Sequence, residues 1–166
     1  MLSIDVAILL AAFGAGLSTA PAGVIELQNL PQDDGEMAAT ALLVAMRNLQ
    51  ALTASLLLGL CSGGLYSVVV LGWNGWAFGR VLPALVRTSP AAALFALTYV
   101  PAEFVAMLLG CLSVQHVLLS ACRWLVENER IEFDRPLRAA ALAVGLLLIG
   151  AWLEADAGRR IHGLLG

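Results

Sequence analysis

The chain has 166 residues, of which 60% are hydrophobic and 13% charged, with a net charge of −3. A soluble domain carries about 25% charged residues, so this balance places the chain in lipid. At roughly 20 residues per crossing, about five or six helices fill the length, which excludes a separate soluble catalytic domain. Every cation is Arg, and no basic patch with interleaved aromatics supports a nucleic-acid partner.

The predicted fold is all-α: a polytopic transmembrane helical bundle forming a single membrane domain. The first span is predicted over 4–24. Ser18-Thr19-Ala20 resembles a cleavage site, but residues 1–5 lack the Lys or Arg of an export signal, so the segment reads as an uncleaved first helix. The connector 26–36 holds Glu26, Asp33, Asp34 and Glu36 and no cation, with Pro31 and Gly35 marking loop. A second span, 37–60, carries Arg47, Asn48 and Gln50. The small residues from Gly59 to Gly64 predict a tight turn between antiparallel spans, or a kink. A third span, 64–86, contains Trp73-Asn74-Gly75-Trp76, and Pro83 is expected to bend its end. Ser89 and Pro90 read as the N-cap and first position of a fourth span, 91–112. Pro101 removes a backbone donor in the middle of that span, and a broken helix is expected there. Residues 113–126 either continue the fourth helix, cross in part as an additional one, or lie along the interface, the last being preferred, and 137–154 form the last span.

Orientation follows from Arg placement. The cation-free connector should face away from the cytoplasm, which puts the N-terminus inside. Five spans then bring the charged segment 123–138 to the inside as well. The expected location is the inner (cytoplasmic) membrane. Trp73, Trp76, Trp124 and Trp152 are expected toward span ends, in the headgroup zone.

Helices in lipid associate by close contact, which small residues permit. Gly59 and Gly63, and Gly75 and Gly79, are each one turn apart. They serve either packing within the chain or a homodimer seam; besides the lipid bilayer, a second copy of the chain is an expected partner.

Glu103 is the only charge between Thr88 and Cys122. A carboxyl group in hydrocarbon is costly unless paired, wetted or protonated, which makes it a candidate site. Arg47 poses the same problem. Gln50 shares its helix face, and Asn48 lies beside it. Tyr99 is one turn before Glu103, Asn74 precedes Gly75, and Glu154 ends the last span. In one reading, Arg47 and Glu103 form a buried ion pair that fixes helix register, helped by Asn74 and Tyr99. In the other, Glu103 lines a wet cavity as proton carrier, general base or substrate anchor, and Arg47, Asn48 and Asn74 orient the substrate. Cys61, Cys111 and Cys122 read as small apolar packing residues. No complete catalytic set, phosphate loop or metal-ligand spacing is visible, so no catalytic residue, metal or cofactor is assigned.

Taken together, these spacings resemble the stage II sporulation protein M family of integral membrane proteins. In that family an Asn-Asn pair precedes a glycine-spaced stretch and an Asn-Gly on the next helix. Here Arg47-Asn48-Leu49-Gln50 leads to Gly59, Gly63, Asn74-Gly75 and Gly79. The family's Pro-His-Gly-x-x-Glu motif is matched by Thr98-Tyr99-Val100-Pro101-Ala102-Glu103, with Tyr99 and Val100 where His and Gly are typical. Gly150-Ala151-Trp152-Leu153-Glu154 matches its last helix. The resemblance implies a membrane component that works with cell-wall hydrolases, or with systems that mature, export or give immunity to circular bacteriocins. The expected function is a multi-pass scaffold or partner subunit, with a hydrolase, transporter subunit or hydrophobic peptide as its partner. The alternative is an intramembrane enzyme or transporter acting on a hydrophobic peptide or lipid, with Glu103 as the key ionisable group.

Overall fold

Five α-helices and no strand make up the residues that the computed structural model describes: 2–19, 31 and 33–165. They are α1 (Leu2–Ser18), α2 (Asp34–Cys61), α3 (Leu65–Thr88), α4 (Pro90–Glu127) and α5 (Asp134–Leu165). Four of them, α2 to α5, are long and apolar enough to cross a membrane. With 17 residues, α1 is about 26 Å long, just short of a bilayer core of about 30 Å. The rest of the predicted first span, and the connector up to residue 30, lie outside the described residues.

Local chemistry sets the helix ends. Asp33 caps α2, its carboxylate accepting from the Glu36 N–H at 2.8 Å. Ser89 caps α4 by accepting from the Ala92 N–H at 3.2 Å, with Pro90 in the first turn, as the sequence predicts. Gly63 and Gly64 sit at φ 65° and 93°, a left-handed pair that reverses the chain between α2 and α3. Gly63 is therefore a turn residue and forms no packing face with Gly59.

Two expectations about α4 need correction. It runs unbroken through Pro101, because one missing N–H costs a single hydrogen bond and the exposed proline ring displaces no neighbouring helix. Residues 113–126 continue the same helix rather than forming a separate one. At 38 residues, α4 is about 57 Å long, nearly twice the thickness of the hydrocarbon core. Asn128, at φ 55°, ends it. The chain then doubles back: the Glu132 N–H reaches the Ser120 hydroxyl at 2.8 Å, and Ser113 donates to the Pro136 carbonyl at 3.1 Å.

These contacts order the two ends of the bundle. The start of α1, the α2–α3 turn, the α4 extension and the start of α5 lie together. At the opposite end, Arg159 of α5 pairs with Asp34 of α2 and with Asp156. The N-terminus and segment 123–138 thus share one side. Trp73 and Trp76 lie well inside α3 rather than at its end, and Trp76 carries the Arg80 guanidinium at 4.8 Å.

The core draws on all five helices through Leu9, Leu52, Leu71, Ala106, Met107, Ala143 and Leu147. Two helix pairs approach closely by different means. Between α1 and α3 the device is glycine: a Cβ on Gly75 would stand 2.8 Å from the Leu9 carbonyl, and one on Gly79 would collide with the Phe13 carbonyl. Gly16 returns the fit, facing the Trp76 carbonyl. Between α4 and α5 the device is alanine, with Ala92, Ala96, Ala106, Ala143, Ala151 and Ala155 all buried. The Gly75–Gly79 face is thus spent inside the chain. Gly59 is spent likewise, against Ser67 and Val114.

Gly79→Ala should therefore lower stability in detergent by about 1–3 kcal/mol, the usual cost of overpacking. Gly14→Ala and Gly145→Ala, where an added Cβ meets nothing within 4 Å, should be neutral or gain up to about 1 kcal/mol. Thermal unfolding of the three variants checks this order.

Candidate functional site

At mid-height, α2, α4 and α5 bring polar groups together. Asn48 lies halfway along α2 and donates its side-chain amide to Glu103 Oε1 at 2.6 Å. Glu103 projects from α4, two residues beyond Pro101. Gly150 of α5 leaves room for it, since a Cβ there would come within 3.1 Å of the Glu103 Cγ. One turn along α5 from Gly150, Glu154 feels the like charge of Glu103 and the opposite charge of Arg47. Tyr99, one turn before Glu103 on α4, is within electrostatic reach of both carboxylates.

A cavity of about 170 Å³ opens beside this group, lined by Thr40, Leu85, Ala96, Tyr99, Glu154 and Gly158 among others. Its walls are mostly apolar, with Thr40, Tyr99 and Glu154 as the polar residues among them. Chemically, the site gathers carboxyl groups, a phenol and an amide where three helices meet. Among the described residues, no three His, Cys, Asp or Glu side chains converge to hold a metal ion.

The structure thus joins four of the residues singled out from sequence: Asn48, Tyr99, Glu103 and Glu154. It leaves others apart. Arg47 is exposed and makes no ion pair with Glu103; Asn48, one residue on, holds that position instead. Neighbouring helix positions are about 100° apart, so only one of the two can point at α4. Gln50 is exposed on the same outer face as Arg47. Asn74 folds back on its own helix, donating to the Val70 carbonyl at 2.8 Å.

Sequence reading passed over a second polar centre. Asp5, which the sequence shows only as part of a flank without Lys or Arg, is fully buried. It accepts from Gln115 of α4 at 2.9 Å and lies 3.8 Å from the Cys111 sulfur. The available signal was the Cys111–Gln115 spacing, one turn on one face of an otherwise apolar stretch.

No protein-family model, curated protein or solved structure matches the chain.

The Asn48–Glu103 bond gives a direct test. Glu103→Gln keeps an acceptor for the Asn48 amide and should leave stability within about 1 kcal/mol of wild type. Glu103→Leu or Asn48→Leu strands one buried partner and should cost about 1–3 kcal/mol. Denaturation in detergent micelles distinguishes the two classes.

Proposed function

We propose that the chain is a multi-pass scaffold subunit of a larger membrane assembly, which docks a partner helix along the outer face of α2. One observation carries this reading: Arg47 is exposed halfway along a membrane-crossing helix. An arginine facing acyl chains at that depth costs about 2.5–3.5 kcal/mol on insertion scales. Among the described residues no carboxylate forms an ion pair with it. Glu154 attracts it from within the cleft but leaves the guanidinium on the outside.

The surrounding face has the pattern of a helix seam. Leu43, Met46, Gln50, Thr53, Leu57 and Leu60 follow one another at alternating spacings of three and four, and all are exposed. That is the spacing by which one helix packs along another. A parallel two-fold copy would set Arg47 against its own counterpart, so charge complementarity favours a different helix with a carboxylate at mid-depth. The resemblance to the stage II sporulation protein M family agrees with a subunit that acts through partners, such as a hydrolase or transporter subunit. The alternative, chemistry on a hydrophobic peptide or lipid at Glu103, has the small cavity beside Tyr99 in its favour but no nucleophile paired with a base.

A photoreactive residue at position 43 or 46, introduced into the full chain in its native membrane, should yield a discrete protein adduct. The same probe at the exposed α5 positions 142 or 148 should yield lipid adducts. Arg47→Leu should abolish the protein adduct and Arg47→Lys should restore most of it, while the stability of the purified chain shifts by less than about 1 kcal/mol. Lipid adducts alone at every position would rule out the docking reading, and a self-adduct would make the partner a second copy.

A further inference from the structure

Asp5 and Gln115 present a problem in hydrogen-bond accounting. Asp5 is 0% exposed. Its Oδ1 accepts from the Gln115 side-chain amide at 2.9 Å. Its Oδ2 is buried with no partner, and so is the Gln115 Oε1. Both leftover atoms are acceptors, and they belong to the same two side chains.

A buried acceptor without a donor costs roughly 1–3 kcal/mol, and a buried unpaired charge more. Neither cost need arise if one proton is added. A carboxylic acid and a primary amide can close a ring of two hydrogen bonds: the amide N–H donates to the carboxyl C=O, and the acid O–H donates to the amide oxygen. The first of these bonds is present here. The two orphaned atoms are the acceptor and the missing donor site of the second.

We propose that Asp5 and Gln115 form a buried acid–amide pair that holds one proton, and that α1 docks against α4 through it. Two oxygens are too few for a hard metal cation, which takes about six or more. No cation pairs with Asp5 among the described residues; the groups facing it from α4 are Gln115 and the Cys111 thiol. The facing surface of α3 presents Gly72, which meets Ile8, and Gly75, which meets Leu9, and it adds no charge at this point.

The proton is a ligand of this helix pair, and the pair is separate from the Asn48–Glu103 site.

Infrared difference spectroscopy of the full chain in liposomes tests the proposal. Subtracting Asp5→Asn from wild type at neutral pH should leave a neutral carboxylic-acid C=O stretch that shifts on deuteration. Asn at position 5 offers the same donor and acceptor to Gln115, so this variant should unfold at the wild-type temperature. Gln115→Leu keeps Asp5 but removes its partner; the acid band should move to higher frequency, and Tm should fall by about 2–4 °C. A carboxylate band for Asp5 at neutral pH in the folded wild type would overturn the proposal. So would a Gln115→Leu spectrum identical to wild type. Because Gln115→Leu is read independently of Asp5→Asn, a folding failure in one leaves the other decisive.

Discussion

A polar side chain inside a bilayer has no water to turn to, so it must find its partner within the protein. That constraint explains most of the specific contacts in this bundle. Ser67 ties α3 to α2 by donating to the buried Ser55 carbonyl at 2.7 Å. Ser113 ties α4 to the start of α5, Asn48 ties α2 to Glu103, and Gln115 ties α4 to Asp5. Each bond links two helices whose apolar surfaces alone would slide against one another. Lipid competes well for Leu and poorly for these groups, so the polar ties set register while the small residues set distance.

The two close seams serve different ends. Glycine lets α1 and α3 meet backbone to backbone, which leaves no space for a site between them. Alanine lines the α4–α5 seam instead, and Gly150 opens it where Glu103 enters. The carboxyl is therefore placed by the absence of one methyl group on the facing helix. Tyr99 and Glu154 flank the same gap, and the cavity follows from it.

Fold class was legible in the sequence, because length, hydropathy and the cap at Ser89 all point to apolar helices; the Asp33 cap of α2 was not, since the sequence reads that residue as connector. That Glu103 has a partner on another helix was legible too, since an isolated carboxyl in an apolar run needs one whatever the fold. The identity of that partner was not. Arg47 and Asn48 are adjacent, and only the rotation of α2, set by Leu52, Ser55 and Gly59 on its buried face, decides which one turns inward. Charge complementarity pointed to the arginine, and helix phase gave the position to the amide. Asp5 was missed for a related reason. A residue at the first turn of a span looks solvated in sequence, but Cys111 and Gln115 of α4 lie against it. Pro101 misled in the other direction, since the rule against proline describes a local cost and α5 supports the helix across it.

The overhang of α4 gives the molecule two unlike ends. At one end a small group of ion pairs around Arg159 joins α5 to α2. At the other, α4 runs on past the α2–α3 turn and ends beside the exposed Arg123, Glu127, Glu129 and Arg130, with the returning chain strapped along its flank. One end is thus closed by a bond between helices, and the other offers an open ledge of mixed charge.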